Sequence, residues 1–358
     1  EGGYVQGELN LFKKKLNLVL SGSLNHVGYK RQDKFYYDKE HGTTPWYSFV
    51  GGTVKFGVNY NIDRHNNVFG NVGYISRAPY FANGVFLQQA TSNATNPDPL
   101  NEKVFSAELG YNFRSKMFSA TVNAYYTKWM DKTSVRSGSF NNGPHQGERY
   151  VMNLAGVDAR HMGVEINATF VPTKWLEITG MLSLGNYEWA SNAKGYFYNL
   201  QGQPIKTNGD VAEGIMAPDH ATGVLNQKGI KVGGSAQTTA ALGATFRPWR
   251  GFRIGADWKV NARNYSDYTL STPDLGKEIS LAKPWQIPWG NQLDLHASWN
   301  FDIAGVNATL YGNVHNLFNY NYVVDAWSNS SVDGAWDNIY GTFYSFGRTY
   351  SMKLRVNF

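Results

Sequence analysis

Two groups of acidic and histidine residues are the first candidates for chemistry. Asp38, Glu40 and His41 lie close together, as do Asp210, Glu213, Asp219 and His220. Such side chains can hold a metal ion or move protons. Neither group has the compact spacing of a calcium loop or paired histidines at helical spacing, so solvated loop charge is the better reading. No Gly-x-Ser-x-Gly elbow marks a hydrolase nucleophile. The chain has no cysteine, which removes thiolate nucleophiles, thiolate metal sites and disulfides. Neither enzymatic activity nor a cofactor is expected.

Aromatic residues offer more. They make up 15% of the chain, with 23 Tyr and 11 Trp, and several fall in or beside segments that read as long loops. Trp46, Tyr47, Phe81, Phe86, Trp285, Trp327, Trp336 and Tyr340 are the candidate ligand-binding residues. Exposed rings can stack on sugars, porphyrins or aromatic chelates; the competing reading is that they pack the loops or form a girdle. The richest stretch is Val324 to Ser345, where Trp327, Trp336, Tyr340, Phe343 and Tyr344 accompany Asp325, Asp333 and Asp337. Aromatic faces beside carboxylates suit a sugar, and the same carboxylates would repel an anionic ferric chelate.

The elements that carry these loops read as β-strands. In the last stretch Tyr350, Met352, Leu354, Val356 and Phe358 alternate with Ser351, Lys353, Arg355 and Asn357, a period of two with one apolar and one wet face. The pattern recurs along nearly the whole chain. Charged residues are 17%, against roughly 25% in an average soluble domain. Mean hydropathy is −0.43, and no apolar run reaches the roughly 18 residues of a helical span. Polar overall yet alternating and aromatic, the sequence predicts a transmembrane β-barrel with a wet interior. The net charge of +6 is scattered, and no basic block suggests nucleic acid.

The alternation predicts about thirteen strands in a single β-barrel segment over residues 1–358. Short turns follow the odd strands and long loops the even ones, the longest irregular stretch being about Asn192 to Gly234, with part of it open to reading as an extension of the flanking strands. Short periplasmic turns and long extracellular loops are the rule for bacterial barrels, as is an even strand count. An open sheet would leave two bare edges in lipid, so further strands are expected upstream of Glu1. Lumenal charges such as Lys55, Glu108, Glu165, Arg253, Asp257, Lys259, Asp294, Lys353 and Arg355 are expected to find partners and hold water. Trp175, Trp249, Trp258 and Trp299 read as girdle residues.

Five short segments resemble one family, the TonB-dependent outer-membrane receptors. Gly73-Tyr74-Ile75-Ser76-Arg77-Ala78-Pro79 resembles their strand-end segment. Residues Asn96 to Lys103, followed by Glu108-Leu109-Gly110-Tyr111, are similar to a second block, with Asn101 where proline is usual. Gly163-Val164-Glu165 with Pro172 and Trp175-Leu176, Asn316-Leu317-Phe318-Asn319, and Gly347 through Phe358 complete the series. The detail is similar to that of Bacteroidota members.

The resemblance implies the carboxy-terminal thirteen strands of an all-β, antiparallel barrel of about 22 strands, without its plug or TonB-contacting segment. It implies a multi-pass protein of the Gram-negative outer membrane that imports a ligand bound on its extracellular loops, using energy from the TonB complex. The implied partners are outer-membrane lipid, the TonB complex, a glycan or large chelate ligand and a surface lipoprotein. A passive porin-type channel is the alternative. A membrane-barrel hydrolase would need acidic and histidine residues converging at the outer rim.

Overall fold

Alternating apolar and polar residues cannot bury a helical stripe but do give a strand two unlike faces, and strands dominate the fold. The structure is a computed structural model describing residues 1–34, 42–87, 93, 95–269, 275, 278–303, 305–329 and 339–357. The first eight strands are β1 (Gly2–Leu11), β2 (Leu16–Tyr29), β3 (Tyr47–Asn61), β4 (Asn66–Arg77), β5 (Glu102–Arg114), β6 (Phe118–Ser139), β7 (Arg149–Thr173) and β8 (Leu176–Trp189). The short β9 (Ala193–Asn199) and β10 (Thr222–Asn226) precede β11 (Thr238–Phe246) and β12 (Phe252–Ala262). Four more short strands follow, β13 (Asn264–Tyr265), β14 (Asp267–Thr269), β15 (Glu278–Ser280) and β16 (Gln286–Ile287). Then come β17 (Gly290–Ile303), β18 (Val306–His315), a hairpin of β19 (Val323–Asn329) and β20 (Ile339–Tyr344), and β21 (Thr349–Asn357). Among the described residues no helix is long and apolar enough to cross a membrane.

Thirteen long strands pair in the order β1-β2-β3-β4-β5-β6-β7-β8-β11-β12-β17-β18-β21, matching the expected count. Every pairing along this path is antiparallel. β1 and β21 end the path and are not paired with each other among the described residues. The expected apolar row is continuous from strand to strand: Phe252 lies opposite Trp299, Trp299 opposite Leu310, and Leu310 opposite Leu354. These side chains face outward, as do Leu109 at 68% and Met352 at 80% exposure.

The opposite face is wet and concave. Residues from eight strands, Asn59 on β3 through Asp257 on β12, line one cavity of about 690 Å³. Its amides satisfy one another: Asn67 donates to Asn59 at 2.7 Å and Asn61 at 2.9 Å, while Asn112 donates to Asn67 at 3.0 Å. Several inner charges pair within the wall, including Lys259 with Asp294 at 2.8 Å and His296 with Asp257 at 3.2 Å. Glu108 accepts from Asn123 at 2.7 Å, and Arg253 donates to Ser298 at 2.8 Å. Partners inside the wall keep these charges from being stranded in a low-dielectric setting.

The outer end departs from the expected loops. β6 and β7 have 22 and 25 residues, whereas about 9–11 residues span a membrane, so both project well beyond it. Their pairing shifts between Trp129 and Ser134, where Asp131 adopts a positive φ of 55°; a bulge there breaks the simple alternation. Beyond it β9 pairs with β7, β10 with β9, and β15 with β10. Tyr150, Met152, Leu154, Phe197 and Leu225 are fully buried between them. The stretch from Asn192 to Gly234 therefore contains two strands and a hydrophobic core, and the segment from Val324 to Ser345 contains a hairpin. The sequence pattern predicts mainly loop for both: on β9 Phe197 and Tyr198 are buried on opposite faces, and on β19 the exposed face carries Trp327 while Ala326 and Ser328 are buried, so neither shows the usual apolar-in, polar-out period.

Glycine at Gly163 shows how tightly the wall is packed. A Cβ there would sit 2.5 Å from the Leu184 carbonyl oxygen and 2.7 Å from the Tyr125 hydroxyl, which itself bonds the Tyr187 hydroxyl at 2.9 Å. Gly163→Ala is expected to cost about 1–3 kcal/mol through overpacking, whereas Gly180→Ala, with open space around its Cβ, should stay within about 0.5 kcal/mol; urea unfolding in lipid vesicles compares the two. On the outer face, Leu310→Arg is expected to cost about 2–4 kcal/mol if Leu310 lies near the midplane, and unchanged refolding into vesicles would contradict its lipid-facing placement.

Candidate functional site

The candidate aromatics separate into packing groups and exposed faces. Tyr47 opens β3, and its ring meets Phe86 edge-on at 5.6 Å. Phe81 contacts Phe86 at 4.7 Å and Tyr29 at 6.0 Å. Phe86 is fully buried, so it anchors the loop after β4 and presents no ligand surface. Trp46 is exposed and has the Lys30 ammonium 5.9 Å from its ring centroid. Trp285 is half-buried, and its backbone is held at both ends by Ser266. Trp336, with Asp333 and Asp337, lies outside the described residues, as do Asp38, Glu40 and His41. Tyr340 belongs to β20, and its side chain is likewise outside the description.

The hairpin of β19 and β20 brings three groups together. Asp325 pairs with Phe343 and Trp327 with Gly341 across its two strands, so all four positions share one face. The rings of Trp327 and Phe343 meet edge-to-face at 5.6 Å; Trp327 is 41% and Phe343 49% exposed. Ala326 and Ser328, on the other face, are buried. Gly341 is the opening in this platform, because a Cβ there would meet nothing within 4 Å. Space is thus left beside the indole for another flat or ring-shaped group.

The platform is fixed to the long strands rather than hung from a free loop. β14 pairs parallel with β19, aligning Asp267 with Trp327, and the Ser266 hydroxyl donates to that of Ser328 at 2.9 Å. Arg136 on β6 lies 3.5 Å from the Asp267 carboxylate and 4.6 Å from the Tyr268 ring centroid. Tyr268 in turn donates to Gln227 at 3.0 Å. Sequence reading singles out Trp327 and its acidic neighbours but not this chain of supports, whose members stand far apart in sequence.

The second acidic and histidine group is divided by the fold. Asp219 pairs with Lys206 at 3.1 Å. His220 turns inward against Tyr196 and Tyr198, accepting from the Met216 amide at 3.1 Å and donating to the Phe197 carbonyl at 2.9 Å. Both ring nitrogens are engaged as in neutral imidazole, and burial lowers its pKa. Asp210 instead meets His145 at 3.0 Å, and His145 also contacts Glu148 at 3.0 Å. The ring of His145 lies over Gly209, whose φ is +96° and whose Cβ would stand 2.7 Å from it. This clamp ties the tip between β6 and β7 to the loop after β9.

The two histidines give opposite pH responses. Hydrogen bonds to Asp210 and then Glu148 raise the His145 pKa. Its contribution is therefore complete below the ordinary value of about 6.5 and is lost as pH rises through the raised value. His220, with a lowered pKa, contributes fully above about 6.5 and loses that contribution as pH falls through the lowered value. Protection of the amides over residues 140–148, taken as the exchange rate relative to the intrinsic rate at each pH, is expected to be greater at pH 5.5 than at pH 8 in the wild type, and to lose that difference in His145→Gln. Equal pH dependence in both proteins would contradict the clamp.

Comparison with known proteins places this geometry. The TonB dependent receptor-like β-barrel family model matches residues 1–317. The chain is similar in structure to the copper transporter OprC, with 14% identity and a TM-score of 0.61 over 99% of this chain and 47% of that one. It is also similar to the siderophore receptor PiuA from Acinetobacter baumannii, with 14% identity and a TM-score of 0.60 over 100% and 42%. For the FrpB iron transporter from Neisseria meningitidis the values are 15% and 0.59 over 99% and 44%. These likenesses are of fold, and the chain spans less than half the length of each of these structures. No curated protein matches the sequence. With the family model covering most of its length, the chain belongs to the TonB-dependent receptor β-barrel family, whose members are multi-pass β-barrels of the Gram-negative outer membrane.

Proposed function

We propose that the chain forms the carboxy-terminal part of an outer-membrane importer that takes up a glycan with energy from the TonB complex. In this reading the thirteen strands belong to a barrel of about 22, and a plug and a TonB-contacting segment lie outside the chain. Ligand binds at the extracellular end, and a surface lipoprotein covers it there. Family membership supports the import reading, and the inner wall, with several of its charges paired across strands, suits a lumen that holds a polar body.

The observation that carries the substrate class is the shared face of Asp325, Trp327, Gly341 and Phe343. A pyranose can lay its C–H face on the indole while its hydroxyls donate to the carboxylate. Similar structures are titled as copper, siderophore and iron proteins. Here the aspartate beside the indole, with two more in the hairpin sequence, disfavours an anionic ferric chelate.

In the full-length receptor, Trp327→Ala is expected to weaken binding of a neutral oligosaccharide about tenfold, in the range of a central aromatic contact, with Phe343→Ala costing less. Calorimetric titration against an oligosaccharide panel measures this, and circular dichroism of the same samples reports the fold. Wild-type affinity in both variants would remove the hairpin from the site. Uptake that survives collapse of the inner-membrane proton gradient would contradict energised import.

A further inference from the structure

At five of the short turns, residues 12–15, 62–65, 114–117, 173–175 and 247–251, counted with the adjoining strand ends Arg114 and Thr173, the chain carries nine Lys or Arg against one Asp. That surplus of eight exceeds the net +6 of the whole chain, so positive charge is concentrated at one end of the wall. By the rule that bacterial barrels keep their short turns on the periplasmic side, this end meets the periplasmic leaflet.

Two of these turns enclose a cleft of about 620 Å³. Its apolar side is formed by Trp175, Trp249 and Phe252. Trp249 stacks on Phe252 at 4.6 Å with the planes 12° apart, and Trp175 meets Phe246 edge-on at 5.6 Å. Phe246 and Phe252 belong to the outward row of β11 and β12, so this side continues the lipid-facing surface. The inner cations are already engaged: Arg247 pairs with Glu177 at 2.8 Å, and Arg253 donates to Ser298. Lys174 and Arg250 are exposed and have no carboxylate partner among the described residues. Gly251, at φ +83°, sets the turn beside Arg250, and a Cβ there would strike the Asn300 carbonyl oxygen.

We propose that this cleft binds the headgroup of an anionic phospholipid from the periplasmic leaflet. The phosphate is held by Lys174 and Arg250, and the upper acyl chain lies against Trp175 and Trp249. Cations at the membrane boundary attract anionic headgroups, and indole rings prefer that same depth. The apolar side distinguishes a lipid from free phosphate, which would gain nothing from three aromatic rings. A zwitterionic headgroup fits less well, because its ammonium would face two uncompensated cations.

The test uses the full-length receptor in nanodiscs containing equal phosphatidylglycerol and phosphatidylethanolamine, with lipids retained after detergent extraction counted by native mass spectrometry. The wild type is expected to retain phosphatidylglycerol about thirtyfold over phosphatidylethanolamine, in line with two cations at a surface. K174Q/R250Q should fall to near parity, and K13Q/K14Q/K15Q should keep the preference. Arg250→Gln alone, in an exposed turn, should lose part of it and serves if the double variant misassembles. Equal retention of the two lipids by the wild type would overturn the proposal, as would a preference that survives K174Q/R250Q. So would displacement of the lipid by millimolar inorganic phosphate, which would mark a free-anion site.

Discussion

A lipid interior offers no hydrogen bonds to a peptide group, and this constraint shapes the whole chain. Each N–H and C=O of a spanning segment must be satisfied by the protein itself. Here neighbouring strands do so in antiparallel register, from Leu16 opposite Tyr60 to Val314 opposite Tyr350, with shifts at the outer end of the β6–β7 pairing and between Phe170 and Thr173 on β7. Once the ladders are fixed, side chains have only two destinations. Apolar residues line one face, and the amides and charges on the other are left to satisfy one another.

The same constraint separates wall from outer module. Inside the membrane the strands need only their neighbours, so a run of alternating residues suffices. Beyond it, β6 and β7 are held by a conventional hydrophobic core, with Tyr150, Met152 and Phe197 buried against β9 and β10. That core gives the outer end a rigid base. Arg136 and the segment of Ser266 to Tyr268 carry the base across to the hairpin, so Trp327 and Phe343 face outward from a supported sheet. At the opposite end the rings of Trp175 and Trp249 stand at the other boundary of the apolar row.

How much of this was legible in the sequence follows from where period two survives. It is intact in β5, where Phe105, Ala107, Leu109, Tyr111 and Phe113 alternate with polar residues, and equally in β21; such strands could be counted and their faces assigned. It fails in the outer parts of β6 and β7, where a bulge and burial on both faces remove the contrast. β9 loses it where Phe197 and Tyr198 are both buried, β10 is too short to show it, and β19 inverts it, since Trp327 is exposed while Ala326 and Ser328 are buried. The site was half legible. Trp327 and Asp325 stood out by type, but residue type does not encode exposure, so Phe86, a buried anchor, looked like its exposed counterparts. The pairing of Trp327 with Gly341 depends on a register shift in β19 that no local pattern announces.

The account rests on the two faces of the wall, and β18 offers the most direct measurement. The chain has no cysteine, so single cysteines can be placed in turn from Val306 to Val314 in the full-length receptor, labelled with nitroxide and reconstituted in lipid. Collision with dissolved oxygen is then read at each position. Accessibility should peak at Val306, Ala308, Leu310, Gly312 and Val314 and fall at Asn307, Thr309, Tyr311 and Asn313. A flat profile, or one with its peaks on the asparagines, would contradict a wall that turns its apolar row to lipid.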